Sequence, residues 1–79
     1  MPFKKGQIVN VLNTSMAGEV FLEGKARIVT VLDAKDSLYR VKFPDDICLY
    51  RRFVDPRAQG KPEAVRRYID KLNAQIARA

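Results

Sequence analysis

Six basic side chains, Lys25, Arg27, Arg40, Lys42, Arg51 and Arg52, fall in or beside β-prone runs, and Tyr39 and Tyr50 stand among them. Cationic side chains pair with phosphates and aromatic rings stack on bases, so this mixture suits single-stranded or duplex nucleic acid. Arg40 and Lys42 are two apart and share one face of a strand. A neighbouring strand can bring Arg27 or Arg51 alongside them. The candidate nucleic-acid contacts are therefore Arg27, Arg40, Lys42, Arg51 and Arg52, with Arg66 and Arg67 as a second row farther along the chain. The competing structural role is a solvated sheet face whose edge cations oppose aggregation. Asp33, Asp36, Asp45, Asp46 and Asp55 are interspersed, so residues 25–60 carry eight basic and five acidic side chains, a net of +3. Residues 61–79 carry five basic and two acidic side chains, also +3.

Other chemistries are poorly supplied. The chain has no His, which excludes imidazole acid–base work and imidazole metal ligands. One Cys cannot build a Cys-rich zinc site. Cys48 has Arg51 and Arg52 near it in sequence, but a half-buried strand thiol acts as a small hydrophobe. Asp45 and Asp46 hold a hard cation only with further oxygens, and turn residues are the simpler reading. The four Gly are dispersed, with no phosphate-cradling spacing. The expectation is a binding module, not an enzyme, with no catalytic residue, cofactor or metal.

These residues have to be positioned by a small scaffold. Seventy-nine residues make one domain, 47% hydrophobic and 30% charged, with a net charge of +6 and a pI near 9.8. Such a domain buries only about 60% of the surface of its unfolded chain, and its stability is roughly 4–12 kcal/mol. The charge favours anionic partners. A single Cys fits a reducing, cytoplasmic setting. The N-terminus lacks the apolar segment of a signal peptide, and no run reaches membrane-spanning length, so no membrane partner is expected.

The centre of the chain is a hairpin. Lys25–Leu32 and Leu38–Phe43 are β-prone, and Asp33–Ser37 is a polar turn. Tyr39, Val41 and Phe43 share one face, while Arg40 and Lys42 share the other. Gln7–Leu12 forms an earlier strand with Val9 and Val11 on one face. Asn13–Gly24 reads as a long loop, in which Val20, Phe21 and Leu22 either plug a barrel mouth or expose Phe21 to a partner. Pro44-Asp45-Asp46 turns the chain into a strand over Ile47–Val54. Ile47, Leu49 and Phe53 share parity there, Arg51 interrupts them, and a β-bulge or a strand end near Arg51 would resolve the conflict. Asp55-Pro56 ends the sheet. Pro62 and Glu63 open a helix whose Val65, Tyr68, Ile69, Leu72 and Ile76 trace one apolar stripe, with Arg66, Arg67, Lys71 and Arg78 off it. That stripe must dock, on its own chain across the short link 55–60 or on a second copy.

Lys5-Gly6-Gln7-Ile8-Val9-Asn10-Val11, Gly24-Lys25-Ala26-Arg27-Ile28-Val29 and Tyr39-Arg40-Val41-Lys42-Phe43-Pro44-Asp45-Asp46 resemble the small SH3-like barrels, a superfamily that includes Tudor, chromo-barrel and KOW-type modules. The resemblance covers about residues 3–55 and implies a mainly β, SH3-like barrel of about five short antiparallel strands. The helix over 61–78 is the departure, within a single domain 1–79. Ile47-Cys48-Leu49-Tyr50 is also similar to the Val-Gln-Ile-Tyr strand of the type II dihydrofolate reductases, but Cys48 removes the amide which that pattern offers to ligands. The leading expectation is a basic nucleic-acid-binding accessory module. The alternative is a protein-interaction or self-associating module, through loop 16–22 with Phe21 or through the helix stripe 62–77 with Leu72 and Ile76. A Tudor-like methyl-lysine reader needs a cage of several rings, and Tyr39, Phe43 and Phe53 are expected in the core.

Overall fold

A computed structural model describes residues 3–45 and 47–78. Asp46, expected in the turn with Asp45, lies outside them, as do Met1 and Pro2; the Arg78 side chain, expected off the helix stripe, is also outside the description. The described chain forms β1 (Ile8–Thr14), β2 (Val20–Asp33), β3 (Leu38–Lys42), β4 (Tyr50–Phe53), a 3-10 turn (Pro56–Ala58) and α1 (Pro62–Arg78). The four strands make one open antiparallel sheet in the order β1-β2-β3-β4. The protein is therefore mainly β with one C-terminal helix.

The period-2 pattern gives the core. Val9 and Val11 of β1, Ala26 and Ile28 of β2, Tyr39 and Val41 of β3 and the following Val54 are buried together. Phe3, Phe43 and Tyr50 pack on their margin. The buried Tyr39 hydroxyl is not left without a partner, since it accepts the backbone N–H of Phe3 at 3.1 Å.

Three expectations are corrected. First, Asn13–Gly24 is not a long loop. Pairing of β1 with β2 runs to Thr14↔Val20, and the reversal is a tight turn in which Gly18, at φ +89°, donates to the Ser15 carbonyl. Val20, Phe21 and Leu22 thus belong to a strand and plug no barrel mouth; Phe21 and Leu22 are 42% and 45% exposed. Second, the strand expected from Ile47 begins only at Tyr50, so the Ile47–Tyr50 pattern is not a strand and Ile47 is 92% exposed. Third, Phe53 is not core. It pairs with Leu38 on the face opposite Tyr39 and is 63% exposed. At Arg51 the conflict of parity is resolved by a strand end and not by a bulge, because β4 begins at Tyr50 and pairs with β3 without interruption from Leu38↔Phe53 to Val41↔Tyr50. The irregularities lie instead in β2, where Val11 pairs Gly24 and Leu12 pairs Leu22, leaving Glu23 as an extra residue. Gly24 has φ +150° there, a conformation that favours glycine.

Two carboxamides finish the sheet where no strand does. Gln59 accepts the Asn10 N–H at 2.9 Å and donates to the Asn10 carbonyl at 2.9 Å. It makes on the open edge of β1 the pair of bonds that a further strand would make. The Asn10 side chain, opposite Val9, donates to the Ala58 carbonyl at 3.2 Å and is buried as a result. Asn73 of α1 does the same for β2, accepting the Val20 N–H at 2.7 Å and donating to its carbonyl at 3.0 Å.

The helix docks on its own chain, as the short link implies. Val65 is buried, Tyr68, Ile69 and Leu72 are half-buried, and Ile76 at the distal end is 45% exposed. Tyr68 donates its hydroxyl to the Asp55 carboxylate at 2.7 Å. Asp55 also caps the 3-10 turn, accepting the Arg57 N–H at 2.9 Å. Burial pushes the Asp55 carboxyl up, but the bonds from Tyr68 and Arg57 outweigh it and hold the group below its ordinary value. A lowered carboxyl stabilises the fold fully above the unfolded value of about 4, and that contribution is lost as pH falls through the lowered one. Tyr68→Phe is expected to cost about 1 kcal/mol at neutral pH, below the usual value for a charged hydrogen bond because the pair is partly solvated. Urea titrations should show the gap between wild type and variant closing in acid.

Candidate nucleic-acid interface

Strand register decides which cations meet. Arg27 of β2 stands opposite Lys42 of β3, and Arg40 of β3 stands opposite Arg51 of β4. Arg40 and Lys42 alternate with the buried Val41, so all four occupy the outer face. Residues directly opposite are about 5 Å apart at Cα, and alternate residues along a strand about 7 Å. The result is a stepped block of positive charge across three strands, with Lys42 and Arg40 on β3 between Arg27 on β2 and Arg51 on β4. Arg27, Lys42 and Arg51 are exposed and Arg40 is half-buried. Like charges directly opposite each other are destabilising, and this sheet sets two such pairs side by side. Among the described residues no carboxylate lies within ion-pair distance of the four; the ion pairs there join Arg52 to Glu23 and Arg57 to Asp55. Asp33, at the end of the same face, is turned onto its own loop and accepts the N–H groups of Lys35 and Asp36 at 3.1 and 3.3 Å.

Arg52 does not join the block. It pairs with Tyr39, which puts it on the inward face. Its Nη2 and Nε donate to Glu23 Oε1 and Oε2, each at 2.9 Å, and its guanidinium lies 5.0 Å from the Tyr50 ring centroid. The hydrogen bond to Glu23 raises the Arg52 pKa against the opposing effect of burial. Glu23 is the extra residue of the β2 bulge, so a backbone irregularity aims the carboxylate that neutralises Arg52.

The helix contributes in part. Arg66 lines a crevice of about 210 Å³ together with Leu22, Lys25, Pro62, Val65 and Ile69. Arg67 is exposed and turns about 100° farther round the helix. Lys25 is the residue that the candidate set omitted. It lines this crevice and also a groove of about 270 Å³ with Ile8, Arg27, Lys42, Phe43 and Pro44. It therefore links Arg66 on the helix to Arg27 and Lys42 on the sheet. Its parity with Arg27 was the available signal.

A third groove, of about 540 Å³, is lined by Glu23, Lys25, Phe43, Asp45, Tyr50 and Arg52, among others. The Phe43 and Tyr50 rings meet edge to face there, with centroids 6.0 Å apart. Cys48, expected as a half-buried strand residue, is exposed because it precedes β4. Among the protein-interaction candidates, Phe21 and Ile76 are partly exposed, and Leu72 lines a surface hollow with Leu12, Val20 and Phe53.

Comparison with known proteins gives no match: no family model, no curated protein and no solved structure resembles the chain. Among the described residues no group of three or more Cys, Asp or Glu is placed to hold a metal ion, and no helix is long and apolar enough to cross a membrane. The physical case for function thus rests on the charge block and the grooves beside it.

Proposed function

We propose that this chain is a small, basic, non-enzymatic module that binds nucleic acid through the outer face of β2–β3–β4. The observation that carries the reading is the side-by-side placement of the pairs Arg27↔Lys42 and Arg40↔Arg51 with no carboxylate partner among the described residues. An arrangement that raises the energy of the free protein is relieved by a polyanion. Lys25 and Arg66 extend the positive surface toward the helix. The SH3-like shape is part of the same proposal: Gln59 supplies on β1 the two bonds of a fifth strand, which supports reading the open meander as a barrel sealed by a side chain. An exposed Cys48 fits the reducing cytoplasm.

Four phosphate contacts give a slope of log K against log salt of about −3.6 on duplex DNA, or roughly a 150-fold loss of affinity between 50 and 200 mM salt. Fluorescence anisotropy at several salt concentrations reads that slope directly. Salt-insensitive or absent binding to DNA and RNA would remove the proposal.

A second reading, self-association, has one observation in its favour. The apolar stripe of α1 is covered only in its first half, and Ile76, Phe21 and Leu22 are all partly exposed. Sedimentation at low and high concentration tests it. The expected outcome is a monomer, with Leu72→Asp destabilising the chain by about 2 kcal/mol through loss of packing on β2. A concentration-dependent mass abolished by Ile76→Asp would favour self-association instead.

A further inference from the structure

The aromatic groove on the inward side and the cationic groove on the outward side share Lys25, Phe43 and Pro44, so they meet at one rim at the end of β3. The first holds Phe43 and Tyr50; the second holds Arg27 and Lys42. The two rings meet edge to face at 62°, and both line the aromatic groove. A Pro44 ring adds apolar surface, and the exposed Asp45 carboxylate stands at the margin as an acceptor for an amino group. Resting on the nucleic-acid reading above, we propose that this groove takes one unstacked base against Phe43 and Tyr50 while the flanking phosphates lie on Lys25, Arg27 and Lys42.

The consequence is selectivity for single strands. Bases in a duplex are paired and stacked inward, and the groove can be filled only after a base is freed. A single strand offers its bases without that step. The charge block alone makes no such distinction, because phosphates line both forms. The Arg52 guanidinium, held by Glu23 over Tyr50, keeps that ring oriented and adds a cation near the base site.

The test compares a labelled oligothymidylate, a labelled oligouridylate and a duplex of equal length by anisotropy, using the intact chain. Either oligonucleotide should bind more tightly than the duplex. Tyr50→Leu should weaken single-strand binding about five- to a hundredfold, leaving duplex affinity and the salt slope unchanged. Tyr50→Phe, which keeps the ring, should retain wild-type affinity. If Tyr50→Leu fails to fold, quenching of wild-type tyrosine fluorescence by oligothymidylate but not by duplex provides the same reading. Equal affinity for single strand and duplex, with Tyr50→Leu without effect, overturns the base site and leaves the charged face standing. No binding to any of the three overturns both.

Discussion

Reversing two charges on β3, Arg40→Glu together with Lys42→Glu, is expected to abolish salt-dependent binding of nucleic acid and to make the protein more stable. Arg40 faces Arg51 and Lys42 faces Arg27. Each reversal converts a repulsive cross-strand pair into an attractive one, worth about 0.2–1 kcal/mol, so the urea midpoint should rise by an amount corresponding to about 1 kcal/mol. Binding moves the other way. The variant's block carries two charges of each sign, and the salt slope should collapse from about −3.6 toward zero. At 50 mM salt the affinity should drop by roughly 100-fold or more. Opposite signs in the two assays are the diagnostic result. If the block were only a solvated face, the variant would gain stability and bind as the wild type does. The milder pair Arg66→Glu and Arg67→Glu should lower affinity by only about tenfold, because only Arg66 of that row lines the crevice beside Lys25.

Gln59→Ala is expected to be the most damaging single change outside the apolar core, costing about 2–4 kcal/mol. Gln59 accepts one hydrogen bond from Asn10 and donates one to it, and it donates another to the Asp55 carbonyl at 3.2 Å. Three bonds at about 1 kcal/mol each are lost, and the Asn10 N–H is left in a partly buried place without its acceptor. Against a total of roughly 4–12 kcal/mol that is a large share. Gln59→Glu sharpens the test. A carboxylate still accepts the Asn10 N–H, but it sets negative charge against the carbonyls of Asn10 and Asp55. It should destabilise at least as much at neutral pH and recover part of the loss in acid, when the carboxyl can donate. Thermal or urea denaturation at pH 7 and pH 4 reads both outcomes. Asn73→Ala, with two bonds at a more open site, should cost about 1–2 kcal/mol.

What could be read from residue order follows a simple division. The inward run of Val9 and Val11, the inward pair Tyr39 and Val41, and the helix from Pro62 are set by periods of 2 and 3.6, which belong to the residues themselves. The outward pairing of Arg40 with Lys42 comes from the same source. Partners across strands do not. That Arg27 meets Lys42, and Arg51 meets Arg40, depends on register, which the turn lengths and the bulges of β2 decide. Glu23 follows the apolar triplet Val20-Phe21-Leu22, and nothing local shows that a bulge aims it at Arg52. Phe53 looked internal because Ile47 and Leu49 share its parity. Once β4 begins at Tyr50 that pattern has no strand to act on, and Phe53 faces out with Leu38. Lys25 shares the parity of Arg27, but neither it nor its opposite neighbour Asn10 shows locally that the helix comes to rest beside them.

Both carboxamide clasps lie downstream of the strands they seal. Gln59 and Asn73 reach back to Asn10 and Val20, which precede them by 49 and 53 residues. A nascent or partly refolded molecule whose tail has not yet docked therefore presents bare backbone at both places. Bare strand edges recruit strands from neighbouring molecules. The tail thus acts as a pair of stoppers, and its docking removes two places at which a neighbouring strand could add.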